Sequence, residues 1–258
     1  MFGWGRASCP ANSAEKELVE HGFRLLARNL GLDRLQNATV VEPTPAFFPD
    51  RYDASLASAE RMFSRVCGHL GVDPGSVRLT FWQDTPNIPL PAVMEGPRST
   101  GGAAGVYAQF DQLHVVSLNV AQLKDPEGLA ATMAHELAHY ILLGQLGLSR
   151  EEPHMEALTD LAAIYLGFGI FISNTLLRRH GWIDGTLQYW KVSRKGYISP
   201  EMAGWALSLF AWVRRESDPS WSTHLATDGK AYLSQGLRYL RRTSDTSFPG
   251  AADERTAT

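Results

Sequence analysis

The residues whose types and spacing could do chemistry are His135, Glu136 and His139, within the run HELAH. On a helix, side chains four apart lie on one face, one turn from each other. His135 and His139 therefore aim two imidazoles at one point, and Glu136 projects beside them. This is how a helix holds a zinc ion while keeping a carboxylate next to the water on the metal. The competing reading is a pair of core histidines beside an unrelated glutamate. The flanking residues favour a helix that can be buried, as metal chemistry requires. Ala130, Ala131, Ala134 and Ala138 are strong helix formers that allow close packing. Leu129, Met133, Leu137, Tyr140 and Leu142 supply apolar surface, and Gly144 is placed to end the helix.

A zinc site that works on substrate needs a third protein ligand and one open position. Downstream, Glu156 and Asp160 stand four apart in EALTD, at the start of an apolar helix. Glu156 can be the third ligand. Asp160 can then accept a hydrogen bond from the far nitrogen of a ligating histidine and fix its tautomer. The alternative is a capping role, since acidic residues are favoured in a first helical turn. A pattern with a third histidine and a glycine beyond the motif fails, because those positions hold Leu142 and Gln145. A di-iron reading would need a second Glu-x-x-His pair; Glu151 and His154 supply it formally, but Pro153 interrupts them.

HELAH followed by EALTD resembles the gluzincin zinc peptidases, across about 35 residues of the 258. The resemblance implies His135, His139 and Glu156 as zinc ligands, Glu136 as general base and Asp160 as the group orienting a histidine. It implies metal-assisted hydrolysis of peptide bonds, an endopeptidase with Zn2+ as cofactor and a peptide or protein as substrate. A donor for the tetrahedral oxyanion is also required. Tyr197, His180, His224 and His154 are the candidates, with Tyr197 preferred. A zinc-binding sensor or interaction protein with little catalysis would carry the same motif. The segments PTPAFFPDRYD, LTDLAAIYLGFGIFISN, GYISPEMAGWALSLFAW and QGLRYL are also similar to a set of bacterial proteins without an assigned activity.

The remainder of the chain must position these groups. Its composition, 44% hydrophobic and 20% charged, is that of a globular protein. A net charge of -3 gives no electrostatic case for nucleic acid or an anionic membrane as partner. Cys9 and Cys67 fit free thiols in a reducing compartment, and the N-terminus lacks an apolar core of the signal-peptide kind. A cytoplasmic location is the expectation; oligomeric state is not legible.

The expected architecture is α+β and mostly helical. A small β-sheet stands beside the motif helix, with a second ligand-bearing helix and further packed helices, in a zincin-like arrangement. Residues 1–12 read as a mobile tail, 13–242 as a single domain and 243–258 as a disordered tail. Helices are expected from Ser13 to about Asn29, from Asp53 or Ser55 to Leu70, from Ser199 to about Arg215 and from Thr227 to Arg242. Val77 to Trp82 alternates as a strand, and Gly105–Phe110 with Leu113–Leu118 reads as a hairpin across Asp111-Gln112. By analogy with zinc peptidases, the strand from Val106 to Phe110 is a candidate for binding substrate as an added strand. Residues 84–104 read as an irregular loop, and 178–196 as a basic, aromatic connection. Leu161 to Leu177 is apolar enough to suggest a membrane span. It contains Ser173, Asn174 and Thr175, so a buried core helix interrupted near Gly167 and Gly169 is expected instead.

Overall fold

The computed structural model describes residues 7–83, 104–181 and 198–248, the side chains of 177–181 excepted. The loop stretch 84–103, the connection 182–196 and Tyr197 lie outside the described residues. The class is α+β and mostly helical, with a three-stranded mixed sheet. Backbone proximity divides the chain into two compact units, Val41–Pro153 and Met1–Val40 with His154–Thr258.

The unit Val41–Pro153 carries the sheet and the motif helix. Helix α1 of the chain belongs to the other unit (Ser13–Leu30), as does the short α2 (Leu32–Gln36). The first helix of this unit is α3, Leu56–Leu70. Ser55 caps it by accepting from the backbone N–H of Ser58 at 3.1 Å, and Gly71, with φ 71°, ends it. Strands β1 (Arg78–Trp82), β2 (Gly105–Phe110) and β3 (Leu113–Asn119) follow. Their order is β1-β3-β2, with β1 parallel and β2 antiparallel to β3. The β2–β3 hairpin turns at Asp111, whose φ of 51° lies in the left-handed region that aspartate tolerates. In β2, Gly105 and Tyr107 are buried while Gln109 and Phe110 are exposed, so its first half is the half facing the interior.

Helix α4, Pro126–His139, is started by Asp125, which accepts from the N–H of Gly128 at 3.1 Å, with Pro126 in the first turn. From Gly128 onward every residue of α4 is buried, so the helix is enclosed on all sides, Thr132, His135, Glu136 and His139 included. The expectation that Gly144 ends this helix is overturned. A π-helical turn, Tyr140–Gln145, continues it through Gly144. The positive φ of 66° falls instead at Gly147. Gly144 is there for space: a Cβ on it would stand 2.9 Å from the Tyr140 ring, 3.0 Å from His114 and 3.1 Å from the Tyr107 hydroxyl.

The other unit is helical. Asn12 and Glu15 form a reciprocal capping box at the start of α1. Helix α5, Met155–Ala163, opens at His154 and runs through a π-helical turn, Ile164–Phe168, into α6, Gly169–Gly181. Gly167 breaks the run with φ 102°, within the interruption expected from sequence. Over Met155–Leu176 the apolar window is 94% buried inside the protein, as a core helix is. Helix α7, Pro200–Val213, is capped by Ser199, and α8, Thr227–Thr243, packs along it. Gly204 lets the backbones approach: a Cβ there would run into the Tyr232 side chain.

Both ends of the described chain make contacts with the helices of this unit. Gln235 donates to the carbonyls of Ser8 and Cys9, and Ala11 is buried. Phe248 is 2% exposed and packs edge-on against Phe23, and the N–H of Ser247 donates to Glu20 at 2.9 Å.

Candidate metal centre

His135 and His139 stand one turn apart on α4, with ring centroids 4.9 Å apart and planes at 86°. Glu136 lies on the same helix. All three are nearly removed from solvent, with 8%, 5% and 7% of their surfaces exposed for His135, Glu136 and His139. Burying three such groups is costly unless each has a partner or a metal.

The inner face of β2 sets the wall beside them. Gly105 passes so close to α4 that a Cβ on it would lie 2.6 Å from Thr132 Cγ2 and 2.8 Å from both Cγ and Oε1 of Glu136. Two residues on, the Tyr107 ring stacks on His139 with 11° between planes and centroids 6.4 Å apart. The Tyr107 hydroxyl shares a 2.8 Å hydrogen bond with His114 Nδ1, and the Arg150 guanidinium sits 5.3 Å from the ring centroid. Burial pushes the Tyr107 hydroxyl above its ordinary range, with Arg150 pulling the other way, so it stays protonated. His114 in turn meets Tyr140 edge-on, at 4.9 Å between centroids.

Glu156 occupies the first turn of α5 and is half-buried. Asp160, one turn later, is 4% exposed and accepts from the backbone N–H of Ile198 at 3.4 Å. His154, directly before the helix, holds a left-handed φ of 62°.

His135, His139 and Glu156 form a group that could hold a metal ion: each offers one ligand atom, and all lie within 4.8 Å of one another. A tetrahedral zinc with bonds near 2.1 Å sets its ligand atoms about 3.4 Å apart. Two imidazoles and a carboxylate are a donor set zinc accepts. The residues present therefore fit the ion.

The three ligands expected from sequence are thus together. His154 and His224 are not members of the group; His224 closes the 3-10 turn Ser220–His224 and receives a hydrogen bond from Asn174 on its carbonyl. The side chain of His180 and all of Tyr197 lie outside the described residues. The sequence marked the strand from Val106 to Phe110, which holds Tyr107, as a candidate for binding substrate, and did not single out Gly105, Thr132 or His114. Nothing in their spacing points to α4; only strand pairing and packing bring them there.

No protein-family model matches the chain, and neither a curated protein nor a solved structure matches it.

Proposed function

We propose that this chain is a zinc-dependent peptidase of the gluzincin kind, cleaving peptide bonds within a peptide or protein substrate. The observation that carries the reading is the grouping of His135, His139 and Glu156 with a buried carboxylate, Glu136, on the same helix. His135, His139 and Glu156 would hold the ion. When bound, zinc would supply Lewis acidity to a water molecule and to the scissile carbonyl. Glu136 then takes the proton from the attacking water and hands it to the leaving amine. Asp160 orients one of the histidines. Tyr197 is the assigned donor to the oxyanion. Among the described residues β2 stands at the edge of the sheet, and an extended substrate would add to it there.

The test is metal content together with turnover. Purified untagged protein is assayed for zinc by atomic spectroscopy and for cleavage of a varied peptide library. About one zinc per chain and turnover in the wild type are expected, with zinc retained and turnover lowered about 10²- to 10⁴-fold in Glu136→Gln. Full activity in Glu136→Gln would remove its role as base. Zinc without cleavage of any peptide would make the protein a metal-binding sensor. No zinc at all after loading would end the metal reading.

A further inference from the structure

Glu136 has a neighbour that determines where its carboxylate can stand. On α4, Thr132 and Glu136 are one turn apart, and the backbone of β2 crosses the step between them at Gly105. The φ of Gly105 is not positive, so conformational freedom does not require glycine there. Space does. A Cβ would meet Thr132 Cγ2 at 2.6 Å and Glu136 Cγ and Oε1 at 2.8 Å, all closer than real side chains tolerate. Thr132 cannot easily turn aside, because its hydroxyl is held by the Gly128 carbonyl at 2.9 Å and the residue is buried. The strand cannot easily withdraw either: Gly105 pairs with Leu118 of β3 and Tyr107 with Val116. The third member of the contact is the Glu136 side chain, longer than Thr132 and with more rotatable bonds.

We propose that Gly105 is a positioning residue: by carrying no side chain, it leaves the Glu136 carboxylate its place against the β2 backbone. This rests on the reading of Glu136 as the general base. The expected consequence of a methyl group at 105 is a rotated Glu136, not a lost metal, because the three atoms nearest the added carbon belong to Thr132 and Glu136 and not to the metal group.

The experiment separates positioning from packing. Gly105→Ala strains two contacts at once, and Gly105→Ala/Thr132→Ser removes one of them, since serine keeps the hydroxyl but not Cγ2. The double variant is expected to regain thermal stability toward the wild type. Its zinc content should be unchanged, its KM within a fewfold and its kcat still about 10- to 100-fold down. If position 105 served only packing, stability and kcat would return together, and that outcome overturns the inference. Crystal structures of wild type and double variant decide independently of turnover. A Glu136 carboxylate displaced by more than about 0.5 Å supports the inference, and an unmoved one overturns it. A wild type that binds zinc but cleaves nothing would remove the peptidase reading alone, leaving the carboxylate's displacement as the deciding result.

Discussion

The Tyr107 ring lies nearly parallel to the His139 imidazole, 11° between planes, while its hydroxyl is tied to His114 Nδ1 at 2.8 Å. A ligand imidazole must present one nitrogen along a fixed direction, and groups that hold its ring raise metal affinity. Tyr107→Leu removes the flat surface and is expected to weaken zinc binding about tenfold. Tyr107→Phe keeps the ring, loses only the link to His114, and should stay within a fewfold of wild type. Competition titration with a zinc chelator reads both. Equal affinities for the wild type and Tyr107→Leu would show that the stack does not hold His139.

How much of this arrangement was legible in the sequence depends on the range of the interaction. HELAH identified α4 because helical period alone puts His135 and His139 on one face. Ser55 and Ser199 marked helix starts because a cap is a local hydrogen bond. The hairpin was legible from alternation on either side of Asp111-Gln112. The five-residue α2 was not, being too short to show a period. Nor was the parallel pairing of β1 with β3, whose partners Leu79 and Val116 lie far apart in the chain. Gly144 looked like a helix stop because glycine usually is one near a helix end. Its actual neighbours, Tyr107 and His114, come from β2 and β3, and no local signal announces them. The same holds for Gly105 over Glu136.

Two glycines should respond to alanine in opposite directions. Gly167 has φ 102° and its missing Cβ would collide with the Thr39 carbonyl, whereas Gly68, exposed within α3, has nothing within 4 Å. Gly167→Ala combines a left-handed backbone, about 1–2 kcal/mol, with a clash against rigid main chain. A fall in Tm of several degrees or more is expected, at about 2–4 °C per kcal/mol for a chain of this size. Gly68→Ala should raise stability by about 0.5–1 kcal/mol, since alanine is the better helix former and meets no neighbour. Calorimetric or circular-dichroism melts of the two variants check both signs.

The two thiols should be slow to react in the folded protein. Burial pushes Cys67 up to about 12 and Cys9 up to about 11. Near pH 8 both are then neutral, and the neutral thiol is a poor nucleophile. A disulfide reagent should therefore label the native protein slowly and label two thiols at once in denaturant. The linkage has a definite sign. A folded pKa above the unfolded one means the native state holds the proton more tightly. The stability from Cys67 is thus complete below its ordinary 9.0 and is lost as pH rises toward about 12. Urea midpoints near pH 8 and again near pH 10 should fall less in Cys67→Ala than in the wild type.

The C-terminal segment should come loose when Glu20 is removed. Glu20 is 3% exposed, receives the N–H of Ser247 at 2.9 Å and has the Lys16 ammonium 3.4 Å from its other oxygen, an ion pair without hydrogen-bond geometry. Glu20→Ala leaves Lys16 without this partner and Ser247 without an acceptor, while Phe248 still has its place against Phe23. Limited proteolysis read by mass spectrometry should show cleavage after residue 240 several times faster than in wild type. Unchanged cleavage would mean that Phe248, with Asp245 bonded to Lys16 and Tyr239, holds the segment without Glu20.

Metal and stability should be coupled through Glu156. A ligand that binds only the native state stabilises it by RT ln(1 + [L]/Kd), which is about 2.7 kcal/mol at a hundredfold excess over Kd. For a chain of this length that is a rise of about 5–10 °C in Tm. The wild type, stripped with chelator and reloaded with zinc, is expected to show such a rise. Glu156 is half-buried at the start of α5, so Glu156→Ala should fold and melt near the stripped wild type. With only His135 and His139 left as ligands, zinc should barely move its Tm. Glu136→Gln separates the roles: if Glu136 acts on water and does not hold the ion, this variant keeps the full zinc-dependent rise. A rise preserved in Glu156→Ala would exclude Glu156 as a ligand, and one lost in Glu136→Gln would make Glu136 a ligand itself.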